Sequence, residues 1–130
     1  MRFIELPKFL DKRGNLSFVE ENQDFPFSIT RVFWTYDVPG GETRGGHALK
    51  TQQEVIIALS GSFDVVIINQ NNSKKRIHLN RSYKGIFLPK MTWRYIDNFS
   101  TNSLSLHISD SEYDSNDYIT DFNEFLNLNQ

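Results

Sequence analysis

The chain has no cysteine among its 130 residues. This excludes disulfide frameworks, thiolate metal sites and thiol nucleophiles, and it fits a reducing compartment such as the cytoplasm, the location we expect. An excess of charge of one sign is also missing, because 14 basic residues stand against 16 acidic ones and the net charge is −2. Such a balance supplies no extended positive field for a polyphosphate backbone, so nonspecific nucleic-acid binding is excluded.

Long apolar runs are absent as well. No stretch approaches the roughly 20 residues that span a bilayer, and Glu5 falls where a signal peptide would have its apolar segment. We therefore expect a soluble chain with no membrane association.

With 38% hydrophobic residues, the 130-residue length predicts one domain over residues 1–130 with a single core.

Aromatic and β-branched residues gather in short runs separated by Gly, Asn, Asp and Pro, a pattern typical of an all-β sandwich or barrel. The sharpest break, Ser60-Gly61-Ser62, separates two apolar runs and predicts two consecutive buried strands. Helical spacing after Asp110 predicts one amphipathic helix over about 115–128, covering a sheet edge or an open end of the barrel. The predicted strands are 3–9, 15–20, 28–37, 53–59, 62–69, 74–79, 84–88, 92–97 and 103–109.

The segment Arg44-Gly45-Gly46-His47 is the most informative stretch of the chain. Paired glycines allow a tight turn beside a charged residue, and on extended backbone His47 faces the same side as Leu49. A neutral imidazole accepts and donates protons near neutral pH, but a lone His beside two glycines is about as often a structural hydrogen-bonding residue, so both roles stay open for His47 at this point. Glu54, at the start of an apolar strand, could orient His47, serve as a base or be a solvated charge at the strand end.

Arginines beside glycines are candidates for anion binding. Arg13 and Arg44 each adjoin a Gly, where the backbone can approach a ligand and a guanidinium can hold diphosphate oxygens in bidentate fashion; the alternative is two surface charges at turns. Trp93 could stack on a base or a sugar, or belong to the core. His78 and His107 lie in strand-like segments outside the glycine-rich motif, and we expect structural roles for both.

The spacing around His47 resembles the first cupin motif. In that motif a Gly precedes His-x-His, four residues separate the second His from a Glu, and six more precede a Gly. Here Leu49 stands at the second His, while Glu54 and Gly61 are in register. The resemblance implies a cupin-type β-barrel or jelly roll with one short C-terminal helix.

The second cupin motif has a counterpart in this chain as well. Gly85, Pro89 and Asn98 match its framework, and Arg94 stands where the motif has a metal-binding His. A guanidinium keeps its proton and repels a cation, so we expect no metal. Arg94 either faces the cavity as a ligand contact or pairs with Glu54.

Further matching segments extend the resemblance over nearly the whole chain. They are Arg13-Gly14-Asn15-Leu16, Glu20-Glu21-Asn22, Pro26-Phe27-Ser28-Ile29, Arg31-Val32, Arg44-Gly45-Gly46-His47-Ala48, Gly61-Ser62, and the tail from Tyr113 to Phe125. Together they resemble the WxcM-like sugar 3,4-ketoisomerases that act on dTDP-4-keto-6-deoxyglucose. The resemblance implies exchange of the C4 carbonyl with the C3 hydroxyl through an enediol, without a cofactor. It also implies a homodimer that pairs its N-terminal strands, and a 3-keto product that is aminated for surface polysaccharides.

The chain departs from that family at two places. Family members have His-Ala-His where this chain has His47-Ala48-Leu49, and a tyrosine pair where it has Phe33-Trp34. Tyr36, two positions beyond that pair, could enter the same cavity as His47. For a dTDP-linked keto-deoxyhexose, the catalytic residues we predict are His47 and Tyr36, and the substrate-binding residues are Arg13, Arg44, Glu54, Trp93 and Arg94.

Two other functions compete with this one. Leu49 favours a catalytically degenerate cupin that binds a dTDP-sugar or a partner enzyme without turnover. A metal-dependent cupin oxygenase or isomerase is disfavoured, because Leu49 and Arg94 occupy two of the ligand positions.

Overall fold

The computed structural model describes residues 1–21 and 25–128; Asn22 of the matched segments and the last two residues of the predicted domain lie outside that range. Within it the chain forms twelve strands, one 3₁₀ turn and one α-helix. The strands are β1 (Arg2–Glu5), β2 (Lys8–Phe9), β3 (Leu16–Ser17), β4 (Arg31–Tyr36), β5 (Arg44–Leu49), β6 (Glu54–Ser60), β7 (Phe63–Ile68), β8 (Lys74–Leu79), β9 (Lys84–Leu88), β10 (Trp93–Asp97), β11 (Leu104–Ser109) and β12 (Tyr118–Ile119). The turn is Ser115–Asp117 and the helix, α1, is Phe122–Asn127.

Ten of these strands form two antiparallel sheets. The first has the order β1-β9-β6-β11-β4 and the second the order β12-β5-β10-β7-β8, while β2 and β3 form a separate hairpin. The strands β6 and β7 are consecutive and buried, as predicted, but they lie in opposite sheets. Gly61 makes the crossing possible, because its φ of 65° lies in the left-handed region that favours glycine. The predicted all-β class with one short helix is confirmed.

The main core fills the space between the two sheets. Ile56 and Ile86 of the first sheet belong to one buried cluster with Phe63, Val65 and Ile96 of the second. Burial of each such side chain contributes about 1.5–3 kcal/mol, so this cluster fixes the two sheets against each other. At the end of the sandwich where β6 and β10 begin, the side chains that point inward are polar instead.

The C-terminal helix is shorter than the sequence predicts. Residues 115–117 form a 3₁₀ turn, and Tyr118–Ile119 pair as strand β12 with Ala48 and Leu49 of β5. Asp121 then begins a new element, because its carboxylate accepts the backbone N–H groups of the first helical turn. The prediction of one helix over 115–128 is therefore wrong, since pairing with the edge of β5 satisfies the backbone of Tyr118–Ile119 better than a helix would.

The helix covers a sheet face. Phe122 and Phe125 lie 5.1 and 5.8 Å, ring centroid to ring centroid, from Trp93 on the outer face of β10. The expectation that the helix covers an edge or an open end is wrong as well; β12 covers the edge instead. Among the residues described here, no helix is long and apolar enough to cross a membrane.

The strand β5 (Arg44–Leu49) was not predicted, although an extended backbone near His47 was. Arg44-Gly45-Gly46 has low intrinsic β-propensity, and pairing with β10 places the segment in the sheet. The predicted strand 3–9 divides into β1 and β2, with Leu6 and Pro7 between them.

Candidate active site

A cavity of about 280 Å³ lies between the two sheets, at the end of the sandwich where β6 and β10 begin. Strands of both sheets supply its walls, so its shape depends on how the core holds the sheets together. The first sheet contributes Phe33, Thr35, Glu54 and His107; the second contributes Arg44, Gly45, His47, Arg94, Ile96 and Tyr118.

A bulge in β5 positions the residues of the second sheet. His47 pairs with Arg94 and Arg44 pairs with Ile96, so β5 has one more residue than β10 in this interval. Gly45 lies inside the interval with a φ of 79°, which a residue with a side chain rarely adopts. The bulge leaves Arg44 exposed at the cavity and His47 half-buried in its wall.

His47 is held as a neutral imidazole. Its ring lies 4.8 Å from the Tyr118 ring and makes a backbone hydrogen bond to Gly45. Burial and the positive charge of Arg94 lower the pKa of His47 to about 4, although Glu54 opposes the shift. At neutral pH the ring can therefore accept a proton.

Glu54 is buried at 3% exposure and serves two partners. Its Oε1 lies 2.8 Å from Nδ1 of His107, and its Oε2 lies 3.4 Å from Nη1 of Arg94. Burial alone would raise the pKa of Glu54, but Arg94 and His107 outweigh it and lower that pKa to about 2. Glu54 is thus a permanent carboxylate, and its hydrogen bonds go to Arg94 and His107; none to His47 is seen among the described residues.

Arg94 carries a buried positive charge at 1% exposure. Its Nε donates to the carbonyl of Thr92 at 3.1 Å, and Nη1 interacts with Glu54. Its Nη2 is buried and has no hydrogen-bond partner within the described part of the chain. A buried donor left unsatisfied costs about 1–3 kcal/mol, so this nitrogen is a ready partner for a ligand oxygen.

His107 was expected to be structural, yet it lines the same cavity as His47. Its Nε2 lies 2.9 Å from Oγ of Ser105, and its ring stacks on Phe33 with the centroids 4.6 Å apart. The sequence contains a signal for this placement that motif reasoning missed. In β11 the polar residues Ser105, His107 and Ser109 alternate with Leu104, Leu106 and Ile108, which is the pattern of a strand with one polar face.

Three of the predicted site residues lie elsewhere. Tyr36 is 63% exposed and points to the opposite face of β4 from the cavity-lining Phe33 and Thr35, so its expected entry into the cavity is wrong for the single chain. Trp93 packs on α1, one residue from Arg94 and therefore on the other face of β10. Arg13 is exposed in the β2–β3 hairpin, ion-paired with Asp11 at 2.7 Å, and does not line the cavity.

The donor set does not suit a divalent metal ion. A cation beside Glu54 would face the guanidinium of Arg94, which keeps its positive charge. In residues 1–21 and 25–128, no group of three His, Asp or Glu side chains is arranged to hold a metal ion. The absence of a metal cofactor stays a prediction.

The protonation state of His47 can be measured directly. In a ¹H–¹⁵N NMR titration, we expect the His47 ring to become protonated with a midpoint near pH 4, because burial and Arg94 disfavour the imidazolium. Folding lowers the pKa of His47 from 6.5 to about 4, so between these two pH values the unfolded chain binds more protons than the folded chain. The contribution of His47 to the free energy of unfolding therefore rises with pH from about 4 to 6.5. A His47 midpoint near 6.5 would contradict the described environment.

Comparisons with known proteins agree with the resemblance. The family model described as "FdtA: WxcM-like, C-terminal" matches residues 1–130. The TDP-4-oxo-6-deoxy-alpha-D-glucose-3,4-oxoisomerase of Aneurinibacillus thermoaerophilus is 34% identical over 124 residues, which cover 95% of this chain and 88% of that protein.

Two solved structures have nearly the same fold. A 3,4-ketoisomerase from Helicobacter canadensis matches with a TM-score of 0.92 and 35% identity, over 98% of this chain and 95% of its own. A single-residue variant of the 3,4-ketoisomerase QdtA from Thermoanaerobacterium thermosaccharolyticum, solved in complex with TDP-4-keto-6-deoxyglucose, matches with a TM-score of 0.94 and 28% identity, over 98% of this chain and 91% of its own. The chain therefore belongs to the WxcM-like FdtA family, and the relatives compared with it above are sugar 3,4-ketoisomerases.

Proposed function

We propose that this chain is a TDP-sugar 3,4-ketoisomerase that converts TDP-4-keto-6-deoxyglucose to its 3-keto isomer. Family membership supports the reaction class, and the names of the relatives from Aneurinibacillus and Thermoanaerobacterium support the substrate. The observation that carries the proposal is the pairing, in one cavity, of a neutral His47 with an unpartnered donor on Arg94.

The chemistry needs a base that takes a proton from one carbon and delivers a proton to the next. His47 removes the proton from C3; the electron pair of that bond forms the C3–C4 double bond, and the C4 carbonyl oxygen becomes an enediolate oxygen. The imidazolium, whose N–H exchanges with solvent, then delivers a proton to C4, while the proton of the C3 hydroxyl passes to the C4 oxygen and C3 becomes the carbonyl. A ring whose neutral form is stable at neutral pH is suited to the first step.

Arg94 stabilises the intermediate. Negative charge develops on the C4 oxygen, and a fixed donor in the wall of the site stabilises such charge with little reorganisation. The buried Nη2 of Arg94 is such a donor, and Glu54 holds the guanidinium in place through Nη1. Arg94 is therefore proposed as the substrate-binding residue nearest the reacting atoms, with Glu54 positioning it.

The cavity suits the sugar ring and not the whole nucleotide sugar. Its volume of about 280 Å³ lies at the lower end for a ligand site, so the diphosphate and the thymidine extend outside it. Arg44, exposed at the cavity beside the Gly45 bulge, is the group we propose to hold the diphosphate.

An NMR assay in deuterated water tests the proposal. With TDP-4-keto-6-deoxyglucose as substrate, we expect the wild-type protein to form the 3-keto isomer with deuterium at C4, and to introduce deuterium at C3 of the remaining substrate. His47→Asn removes the base, so turnover should fall by at least about 100-fold while TDP binding persists. His78→Asn, at an exposed histidine paired with Asp64 on the outer face of β8, is the control and should leave turnover unchanged.

The competing function predicts a different result of the same assay. Leu49, apolar and fully buried beside His47 in β5, favours a degenerate protein that binds the nucleotide sugar without turnover. TDP binding with neither label uptake nor product would support that alternative. Absence of both binding and product would reject the TDP-sugar substrate itself.

The working form is proposed to be a homodimer. The outer face of the first sheet exposes Val32, Trp34, Tyr36 and Leu59, which we name the β4 patch. An apolar groove of about 620 Å³ adjoins it and includes Val32 and Leu59 in its lining. Exposed apolar surface of this kind marks an interface. The apolar side chains Phe9, Leu10 and Leu16 of the β2–β3 hairpin are exposed as well, and they suit contact with a second copy.

Light scattering coupled to size exclusion tests the dimer. The wild-type protein should have twice the 15.2 kDa mass of one chain. Trp34→Asp places a charge in the β4 patch and should shift the mass to that of a monomer, because an unpaired carboxylate is costly inside an apolar interface. Leu128→Asp, at an exposed apolar residue after α1, is the matched control and should stay dimeric. A monomeric wild-type protein would contradict the proposal.

We propose the cytoplasm as the location, where nucleoside triphosphates provide activated sugars. The product carries a carbonyl at C3, which is the electrophile that an amino-group transfer requires. The reaction that consumes the product is therefore proposed to be an amination, in the synthesis of deoxyaminosugars for surface polysaccharides.

A further inference from the structure

The proposed isomerisation moves two protons. One passes from C3 to C4 and is assigned to His47. The other passes from the C3 oxygen to the C4 oxygen, and a group within reach of both oxygens must carry it. Arg94 stabilises charge but keeps its own protons, so it does not act as this carrier. The cavity must supply a second acid–base group.

The pair formed by His107 and Glu54 has the geometry of such a group. The Glu54 carboxylate only accepts hydrogen bonds, so the 2.8 Å contact assigns a proton to Nδ1 of His107. In the neutral ring Nε2 is then the acceptor, and Oγ of Ser105, 2.9 Å away, is the donor that satisfies it. A carboxylate behind one imidazole nitrogen fixes the tautomer and stabilises the imidazolium that forms when the other nitrogen takes a proton.

The His107–Glu54 pair lies on the opposite sheet from His47. His107 and Glu54 belong to β11 and β6 of the first sheet, whereas His47 belongs to β5 of the second, and all three line one cavity. Glu54 also binds Arg94, so His107 and the unpartnered donor of Arg94 share one anchor. The groups suited to the sugar oxygens, Arg94 and His107, are thus joined through Glu54, and of the two only Arg94 lies on the same sheet as His47.

We propose that His107, supported by Glu54, is the second catalytic residue of this chain and transfers the proton between the C3 and C4 oxygens. This inference rests on the proposed ketoisomerase function. In the step, Nε2 of His107 accepts the proton of the C3 hydroxyl as C3 becomes the carbonyl, and the imidazolium so formed donates that proton to the C4 oxygen of the enediolate. Nothing is oxidised or reduced overall, and His107 ends as it began.

The alternative is a scaffold role, in which His107 only donates a hydrogen bond to Glu54 and stacks on Phe33. His107→Asn separates the two roles. The Asn amide nitrogen can replace Nδ1 as a donor to Glu54, but an amide does not carry a proton between oxygens. A scaffold role therefore survives this substitution, whereas an acid–base role is lost.

The experiment measures four quantities on His107→Asn: kcat, KM and deuterium exchange with TDP-4-keto-6-deoxyglucose, and TDP binding. We expect kcat for the 3-keto product to fall at least about 100-fold, the usual size of one acid–base contribution, with KM within about threefold of wild type. Deuterium exchange at C3 of the substrate should fall much less, because His47 performs that step. TDP binding should be retained. His78→Asn, outside the cavity, is the matched control and should match wild type in all four.

Several results would overturn the inference. Product formation within about threefold of wild type in His107→Asn would do so, and equal losses of exchange and product formation with TDP binding retained would assign His107 to the carbon step instead. Loss of TDP binding in both His107→Asn and His107→Gln would assign the residue to the scaffold. Failure of the wild-type protein to turn over would reject the proposed function itself, which separates the two failures.

Discussion

The site depends on the buried carboxylate of Glu54, which interacts with both Arg94 and His107. Glu54 contacts Arg94 of the opposite sheet through one oxygen and His107 of the neighbouring strand through the other. Removing such a charge from water costs several kcal/mol, and only its partners in the site offset that cost. The carboxylate therefore constrains β6, β10 and β11 together, and a change at any of the three residues alters the environment of the other two.

This arrangement explains why the ring of His47 is neutral. The guanidinium of Arg94, fixed by Glu54, contributes with burial to the low pKa of the His47 ring. Negative charge developing on a bound sugar would meet Arg94, while the carbon proton would meet a neutral imidazole. His47 and Arg94 both belong to the second sheet, whereas Glu54 and His107 belong to the first, and the apolar core between Ile56 and Phe63 keeps those sheets at a constant separation. Catalytic geometry and fold stability depend on the same packing.

Much of this could be predicted from local sequence. Short apolar runs predicted most of the ten sheet strands, and the glycine-rich motif identified His47. The sequence left open whether Arg94 faces the cavity or pairs with Glu54. Arg94 does both, because the ion pair lines the cavity. The strand β5 was missed because its glycines enter the sheet through pairing with β10, a long-range effect.

Other features depend on which side of a strand faces inward. Trp93 and Arg94 are neighbours in sequence, and only the packing of α1 on Trp93 decides that Arg94 faces the cavity. Tyr36 is three residues from Phe33 and so falls on the outer face of the same strand. The contact between His107 and Glu54 was not predicted, because motif reasoning attends to sequence neighbours and these two residues are 53 positions apart.

A crystal structure of the protein with bound TDP-4-keto-6-deoxyglucose tests the central claim most directly. The account predicts the hexose ring between the two sheets, with a nitrogen of His47 about 3–3.5 Å from C3, the distance expected of reacting groups. It also predicts the C3 and C4 oxygens on the side of Arg94 and His107. A hexose bound outside this cavity, or bound with its C3–C4 edge turned away from His47, would contradict it.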